Sequence, residues 1–324
     1  MSAVEAPGER RTLAPFGRRR LRVSERREVG AYVVLAAADP DGPAPRPGQF
    51  YMLAAAERWG GGVDERPFLP RAFSVLRVHD GRLEFMLEDV GPGTARLCEL
   101  GRGDGLWVTG PLGIGFAAPD PGPPGRRAIL CGGGVGTAPL AIWQDELLAA
   151  GLPAPALLGF RDGAHAAGAT LLANPRVATD DGSAGHHGLV TDLLVEALDA
   201  DPPATVYACG PPPMLEAVRA LCAERGVPAQ LALEAGMACG FGACFGCVVP
   251  TKDGGYVRLC VDGPVLDADR LAEVPAQLAL EAGMACGFGA CFGCVVPTRD
   301  GGYVRLCVDG PVLDAEQLAE VPWH

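Results

Sequence analysis

The chain has 324 residues, of which 48% are hydrophobic and 20% are charged, with a formal net charge of −12. This length allows two domains with cores and a small third module, and the apolar content excludes a disordered chain. The acidic balance argues against a nucleic-acid partner, and the absence of an 18-residue apolar run argues against a membrane helix. The arginine-rich first 30 residues lack the apolar segment of a signal peptide. We therefore expect a cytoplasmic protein in which residues 1–20 are a solvated lead-in.

Residues 21–116 predict a small antiparallel β-barrel. Short apolar segments such as AYVVLAAA, GQFYMLAA and LEFMLEDV are separated by turn residues and leave little room for helices. Residues 117–126, AAPDPGPPGR, are a Pro/Gly linker, and strand and helix patterns alternate from 127 to 235. This alternation predicts a parallel α/β domain that binds ligands at the carboxyl ends of its strands.

The segment RAILCGGGVGTAPL predicts a buried strand, a glycine turn and a helix. The turn at 132–137 would place backbone N–H groups and a helix N-terminus where a pyrophosphate could bind. GGGVGT is not the full G-x-G-x-x-G motif, and any tight strand–helix turn favours glycine. By itself this motif leaves a nucleotide site and a purely structural turn both open.

Residues 227–273 and 274–320, the first and second repeat, are near-identical copies with a period of 47 residues. Each predicts a short strand (AQLALE), a cysteine loop and a hairpin whose strands are CVVPT and YVRLCV, joined at a D-G-G turn. Two copies this similar are typical of a recent tandem duplication or of an assembly error in the source sequence, and not of a solenoid. The copies differ at three positions: Lys252/Arg299, Asp269/Glu316 and Arg270/Gln317.

Each repeat carries the cysteine pattern C-x4-C-x2-C-x12-C, which matches plant-type 2Fe–2S ligation. The glycines between the cysteines let backbone N–H groups approach the sulfurs. Structural zinc and buried structural cysteines are the alternatives, and the spacing fits both less well. Local ligation is favoured over mixing between repeats by about 1.4 kcal/mol of loop-closure entropy. The predicted ligands are Cys239, Cys244, Cys247 and Cys260 in the first repeat, and Cys286, Cys291, Cys294 and Cys307 in the second.

These motifs, in this order, resemble the ferredoxin–NADP reductase superfamily, and more closely the electron-transfer subunits of class B dihydroorotate dehydrogenases. The resemblance covers about residues 21–273. It implies an α+β multidomain fold with an FAD-binding antiparallel β-barrel at 21–116 and an NAD-binding parallel α/β domain at 127–235. A small cysteine-rich 2Fe–2S module would follow at 236–273. The near-identical copy at 274–324 departs from this family, whose members carry one such module.

The resemblance also implies binding residues, with no catalytic side chain on this chain. RAFS and EDVGPGTARL would hold FAD through Arg71, Ala72, Phe73, Ser74, Met86, Leu87, Glu88, Gly93 and Thr94. The glycine turn and the segment ACGPPPMLEAV would bind NAD through Gly132, Gly133, Gly134, Gly136, Thr137, Cys209, Gly210, Pro211 and Met214. Cys209 could instead be a small buried residue. We expect His186 and His187 to be solvated loop residues and Cys98, Cys131 and Cys222 to serve packing.

The implied function is electron transfer between a dihydroorotate-oxidising, FMN-containing subunit and NAD⁺, through a 2Fe–2S cluster and FAD, in pyrimidine biosynthesis. The partner would complete a heterotetramer, and the number of clusters would be one or two. NAD is favoured by the resemblance, although Arg161 could meet the 2′-phosphate of NADP. Two alternatives are another FAD/2Fe–2S NAD(P)H reductase serving ferredoxin or a hydrogenase-like partner, and a zinc-stabilised non-enzymatic adaptor.

Overall fold

The computed structural model describes residues 17–60, 67–119, 127–200, 204–274, 277–279, 295–306, 308–309, 312–314 and 317. Within these ranges no helix is long and apolar enough to cross a bilayer. The chain forms an antiparallel β-domain, a parallel α/β domain and a cysteine-rich module packed against both, which confirms the predicted fold class.

The first domain is one seven-stranded antiparallel sheet with the strand order β4-β3-β7-β1-β2-β6-β5. Contact between β4 and β6 curls this sheet towards a barrel. Its interior holds apolar side chains from nearly every strand, such as Leu35, Leu53 and Phe85. The elements are β1 (Arg19–Val29), β2 (Tyr32–Ala38), β3 (Phe50–Ala55), β4 (Arg71–Ser74), β5 (Arg77–His79), β6 (Arg82–Glu88), α1 (Pro92–Cys98) and β7 (Gly105–Leu112).

The arginine-rich segment near the N-terminus forms β1, the longest strand described. It lies between β7 and β2 in the middle of the sheet, so the prediction of a solvated lead-in is wrong from Arg19 onwards. Leu21 and Val23 point into the core, whereas most of the charged residues lie on the outer face. Asp39 is buried and receives hydrogen bonds from the Arg19 guanidinium, whose Nη2 lies 2.7 Å from Asp39 Oδ2. Cross-strand partners of this kind let a highly charged sequence occupy a central strand.

The second domain is a sheet with the order β11-β10-β9-β8-β12-β13-β16, in which β16 alone runs antiparallel to its neighbour. The chain leaves β8 towards β9 and returns to β12 on the other side of β8, which creates a crevice at the carboxyl ends of these strands. The elements are β8 (Arg127–Gly133), α2 (Thr137–Ala149), β9 (Ala156–Phe160), α3 (Gly163–Ala166), β10 (Arg176–Thr179), β11 (His186–His187), α4 (Val190–Ala200), β12 (Ala204–Cys209), α5 (Pro212–Glu224) and β13 (Ala229–Ala232).

The first repeat continues from β13 into the cysteine loop and then folds back onto both domains. It forms β14 (Val248–Pro250), β15 (Tyr256–Arg258), α6 (Leu259–Asp262) and β16 (Val265–Asp267). The predicted hairpin and its D-G-G turn are present in β14 and β15. The strand predicted for YVRLCV ends at Arg258, and a helical turn follows, because the Asp262 carboxylate accepts a hydrogen bond from the Arg258 N–H at 2.9 Å. Cys260 therefore lies on a helical turn and not on a strand.

The described part of the second repeat has the same local structure. It forms β17 (Gln277–Ala279), β18 (Val295–Pro297), β19 (Tyr303–Arg305) and β20 (Val312–Asp314). β17 pairs with β20 in the register in which β13 pairs with β16, and β18 pairs with β19 as β14 does with β15. The four cysteines predicted as ligands in the second repeat lie outside the described residues.

Candidate functional site

A cleft of about 450 Å³ lies between the β-barrel and the carboxyl ends of the parallel strands. The barrel contributes Tyr32 and Glu88, and the nucleotide domain contributes the ends of β8 and β9 and the start of α5. Of the residues predicted to bind NAD, four line this cleft: Gly133, Gly134, Pro211 and Met214. The cleft lies at the crevice where an open α/β sheet binds its ligand.

The glycine turn that follows β8 is shaped by close backbone contacts. Gly134 has a φ of +54°, a left-handed conformation that favours glycine. A Cβ at position 136 would lie 2.3 Å from the Cys209 carbonyl oxygen, so glycine is needed where the turn after β8 approaches the end of β12. Gly132 packs against Leu158 and Leu140 in the same way, and Gly210 packs against Met214. The turn thus leaves its backbone open on the side of the cleft.

Cys209 and Thr137 are buried behind this turn. Burial raises the pKa of the Cys209 thiol well above its usual range, so the side chain stays neutral. The Thr137 hydroxyl is also buried, and no described residue provides it with a hydrogen-bond partner. Cys209 is buried, as a small packing residue would be, and its assignment to the nucleotide site stays a prediction.

The Tyr32 hydroxyl is an unpaired buried donor at the cleft. The residue is 1% exposed, lines the cleft, and has no hydrogen-bond partner for its hydroxyl among the described residues. A Cβ at position 134 would lie 3.9 Å from this hydroxyl, so the oxygen faces the glycine turn. Burial, together with the nearby Glu88 carboxylate, raises the pKa of Tyr32 and keeps the phenol protonated. A donor left unsatisfied at this position fits a ligand with oxygen acceptors.

A charged cluster closes one end of the cleft and joins the two domains. Glu88 Oε1 of the barrel lies 2.9 Å from Arg161 Nη2 and 3.2 Å from His165 Nε2. Asp162 caps α3, because its Oδ1 accepts a hydrogen bond from the His165 N–H at 3.0 Å, and it also lies 2.7 Å from His165 Nδ1. These hydrogen bonds to His165 lower the pKa of Asp162. The Arg161 guanidinium is therefore paired with a carboxylate, while its side chain remains 63% exposed at the cleft.

Sequence reasoning missed Tyr32 and His165, which line this cleft, and Asp162, which contacts His165 beside it. Nothing in AYVVLAAA distinguishes Tyr32 from an ordinary strand tyrosine. The D-x-x-H spacing at Asp162 is the one available signal, since an aspartate before a short helix is a typical N-cap. His186 and His187 are exposed, as expected, but they form strand β11 beside β10, so the prediction of a loop is wrong. His186 Nε2 lies 3.1 Å from Asp192 Oδ2. Cys98, Cys131 and Cys222 are buried, as expected.

The residues predicted to hold FAD lie on β4, β6 and α1. A Cβ at position 93 would lie 2.6 Å from Arg71 Nε, so Gly93 lets the guanidinium lie across the start of α1. The Thr94 hydroxyl accepts a hydrogen bond from the Val90 N–H and donates one to the Gly91 carbonyl, both at 2.9 Å. The side chains of Met86 and Leu87 are buried in the core, and Ala72 is exposed. An arginine against a glycine-opened helix start is a donor set suited to a phosphate, and the assignment of these residues stays a prediction.

The four cysteines of the first repeat form two pairs, Cys239 with Cys244 and Cys247 with Cys260. Among the described residues, no group of three or more His, Cys, Asp or Glu side chains is arranged to hold a metal ion. A 2Fe–2S cluster needs two ligands on each of its two irons, which two pairs can supply. The pairing of the four cysteines thus fits the ligand requirement of a two-iron cluster.

Backbone N–H groups stabilise negative charge on two of these sulfurs. Burial opposes ionisation of Cys239, but the N–H groups of Cys244, Phe241 and Ala243 lower its pKa to about 7. The hydrogen bond from the Cys260 thiol, helped by the N–H groups of Cys260 and Leu259, lowers the pKa of Cys247 to about 6. The same pairing raises the pKa of Cys260. Thiolates are the form in which cysteine binds iron.

The cysteine loop packs directly against the barrel. A Cβ at Gly240, which has a φ of +80°, would lie 2.6 Å from Met52 Cγ. Met52 on β3 pairs with Ala72 on β4, within the predicted flavin segment. Cys247 and Cys260 are buried in one apolar cluster with Phe50 and Met52. The cysteine loop therefore lies one strand away from the predicted flavin residues.

Comparison with known proteins identifies the iron–sulfur segment. Residues 234–272 and 281–319 each match the family described as the iron–sulfur cluster binding domain of dihydroorotate dehydrogenase B. Both repeats therefore match it, and the zinc alternative is not supported.

Longer matches cover most of the chain. The dihydroorotate dehydrogenase B (NAD(+)) electron transfer subunit of Geobacillus thermodenitrificans is 37% identical over 263 residues, covering 78% of this chain and 98% of that protein. This chain belongs to that family. The corresponding subunit of Caldanaerobacter subterraneus subsp. tengcongensis is 34% identical over 255 residues, covering 77% and 96% of the two chains. The family resemblance predicted from the motifs is confirmed.

Solved structures confirm the reductase-like fold. An NADH-dependent reduced ferredoxin–NADP oxidoreductase matches with a TM-score of 0.66 at 24% identity, covering 78% of this chain and 90% of that one. The ferredoxin reductase of carbazole 1,9a-dioxygenase matches with a TM-score of 0.53 at 24% identity, covering 65% and 66%. This chain thus has the predicted architecture of an antiparallel β-barrel, a parallel α/β domain and a cysteine-rich module.

Proposed function

We propose that this chain transfers electrons between NAD⁺ and a separate, FMN-containing subunit that oxidises dihydroorotate. FAD and a 2Fe–2S cluster would be bound between them. One observation carries the proposal: the predicted flavin strands β4 and β6 lie between the cleft and the cysteine loop. Glu88 at the end of β6 lines the cleft, and Ala72 on β4 pairs with Met52, which contacts the cysteine loop. This arrangement supports a path in which the predicted flavin site lies between the candidate nucleotide site and the candidate cluster site.

The cofactors supply the redox chemistry, because a flavin exchanges two electrons with nicotinamide and passes them singly to an iron–sulfur cluster. The chain's residues bind and orient. Arg71 would pair with the flavin phosphates, the Gly132–Gly136 turn would present backbone N–H groups to the nicotinamide nucleotide, and the Tyr32 hydroxyl would donate to it. The buried Cys247 and Cys260 would hold their iron in an apolar, water-poor environment beside the barrel.

The partner subunit would dock where the cluster is closest to solvent. Cys244 is exposed, and the neighbouring Phe241 and Phe245 are 45% and 62% exposed. Exposed aromatic side chains beside a redox ligand are typical of a protein–protein contact. Arg258 lies 5.6 Å from the Phe245 ring and holds it in place by a cation–π contact. A heterotetramer with two catalytic subunits is the assembly that we propose.

The first test is the iron, acid-labile sulfide and flavin content of anaerobically purified protein, with spectra before and after dithionite. We expect about two irons and two sulfides per FAD if one repeat is loaded, and about four of each if both are. NAD⁺ reduction that depends on dihydroorotate should appear when the matching catalytic subunit is added. Protein without iron and flavin, or a holoprotein that reduces ferredoxin but does not couple to that subunit, would contradict the proposal.

A further inference from the structure

The first repeat occupies a docking surface built by the rest of the chain, which we call the module seat. The seat consists of the edge of β12 that faces away from β8, together with five residues of the barrel and the linker: Gly48, Met52, Leu112, Ile114 and Ala117. β13 extends the parallel sheet along the edge of β12. The Ile114 N–H donates to the Gly263 carbonyl, and the adjoining bridge pairs Ile114 with Pro264. The Gly240 loop lies on Met52 and Leu112.

Gln230 makes the polar contact at the centre of the seat. Its Oε1 accepts a hydrogen bond from the Ala117 N–H at 2.9 Å, and its Nε2 donates to the Ala117 carbonyl at 3.3 Å. The side chain is 8% exposed. This amide therefore satisfies the donor and the acceptor of one linker residue at the same time, which an ionised carboxylate cannot do.

The second repeat carries the same side chains for the same seat. Gln230, Gly240, Gly263 and Val265 correspond to Gln277, Gly287, Gly310 and Val312. The three positions that differ between the repeats are Lys252, Asp269 and Arg270 in the first repeat, and all three are exposed there. No difference between the repeats therefore falls on the seat.

The two repeats differ in the strands that pair with their first strand, β13 in the first repeat and β17 in the second. β13 pairs with β12 on one side and β16 on the other. Within the part of the chain that the structure describes, β17 pairs with β20 alone. The second repeat thus has the strand pairing that corresponds to β13 with β16, and the other edge of β17 pairs with no strand among the described residues.

We infer that the two repeats are interchangeable occupants of one seat, with the second repeat as the replacement for the first. Chain connectivity decides which one is seated. Four residues separate Glu224 at the end of α5 from Ala229 of β13, whereas fifty-two separate it from Gln277 of β17. Loop-closure entropy scales with the logarithm of loop length, so this difference favours the first repeat on the order of tens of fold. A substitution that weakens binding of the first repeat to the seat by more than this preference lets the second repeat take its position.

The test uses hydrogen exchange of the full-length holoprotein and of three variants, Gln230→Glu, Gln277→Glu and the double variant. A carboxylate at position 230 cannot donate to the Ala117 carbonyl and is buried against it, which weakens seating on the order of 100-fold. Gln277→Glu is the matched control, since it makes the same change in the same local sequence. Peptides that run from Gly226 or from Glu273 into the repeat differ in mass and report on β13 and β17 separately.

In the unchanged protein and in Gln277→Glu, we expect β13 amides to exchange at least tenfold more slowly than β17 amides. In Gln230→Glu the order should reverse, and in the double variant neither strand should show slow exchange. The inference is wrong if β17 gains no protection in Gln230→Glu, or if the double variant protects β17 as well as Gln230→Glu does. Amide exchange reports strand pairing and not electron transfer. The result therefore tests this inference independently of the proposed function.

Discussion

At the scale of single residues, the position of the Tyr32 hydroxyl suits a bound ligand but lowers the stability of the protein without one. Its hydroxyl is buried at the cleft without a described partner, while its ring lies edge-on to His165 with centroids 5.5 Å apart. A buried donor without a partner destabilises a protein, whereas the same donor bonded to a ligand contributes to affinity. The two effects have opposite signs and can be measured separately.

We therefore predict that Tyr32→Phe stabilises the nucleotide-free protein by about 1 kcal/mol and weakens NADH binding about 3- to 10-fold. Thermal unfolding without nucleotide and a binding titration with NADH measure the two effects. Tyr207→Phe is the control: its hydroxyl donates to the Ala117 carbonyl at 2.9 Å, so its loss should destabilise the protein and leave NADH affinity unchanged. A Tyr32→Phe protein that is less stable and binds NADH normally would show that the hydroxyl has a structural role only.

At the scale of elements, β1 shows how a charged strand is held in the middle of a sheet. Consecutive arginines on β1 pair with carboxylates in different environments. Arg19 reaches Asp39, whose side chain is 6% exposed, and also donates to the Gly110 carbonyl at 2.9 Å. Arg20 pairs with Glu57 at 3.4 Å on the surface, where the two side chains are 51% and 74% exposed. The first pair helps to hold β1 in the sheet, because the buried Asp39 carboxylate cannot regain its contacts with water unless the sheet opens.

Asp39→Asn should lower the free energy of unfolding by about 2 kcal/mol, since it leaves the Arg19 guanidinium half-buried without its counter-charge. Glu57→Gln, the matched change at the neighbouring arginine, should lower it by less than about 0.5 kcal/mol. Urea unfolding of the three proteins provides the comparison. Equal effects of the two substitutions would contradict the role assigned to Asp39 in holding β1.

At the scale of the whole molecule, the cleft exists because the barrel and the nucleotide domain meet closely. The Ala31 N–H donates to the Ala164 carbonyl at 3.1 Å, and Arg77 Nε lies 2.8 Å from Asp145 Oδ2 across the same boundary. Gly30, with a φ of +59°, lies at the point of closest approach, where a Cβ would be 2.0 Å from the Ala164 oxygen. A side chain at this position must therefore push the two domains apart.

We predict that Gly30→Ala weakens NADH binding at least fivefold, because the two walls of the cleft belong to different domains. Gly151→Ala is the control: Gly151 also has a positive φ, +75°, but a Cβ there would have no described atom within 4 Å. Each substitution carries about 1 kcal/mol of backbone strain. The difference in NADH affinity between the two variants therefore reports only the effect of pushing the two domains apart at position 30. NADH titration and thermal unfolding of both variants measure it. Equal NADH affinity in the two variants would show that the cleft tolerates separation of its walls.

The sequence by itself determined the parts of this protein that depend on residues close together in the chain. The cysteine spacing around Cys239 to Cys260, the glycines from Gly132 to Gly136 and the order of the motifs predicted the family, the fold class and the iron–sulfur module. These features could be predicted because turn conformation, strand period and ligand spacing are set by neighbouring residues. The helical turn at Cys260 was missed because the hydrogen bond between Arg258 and Asp262 competes with a strand pattern that looks complete.

Only the tertiary structure decided which distant segments face each other. The pairing of Arg19 with Asp39 places an arginine-rich segment in the centre of a sheet. The approach of β2 to the glycine turn leaves the Tyr32 hydroxyl at the cleft with no partner among the residues that the structure describes. The contact of Gln230 with Ala117 seats the first repeat, although its sequence is almost the same as that of the second. Identical local sequences have identical local preferences, so we infer that chain connectivity decides which repeat pairs with β12.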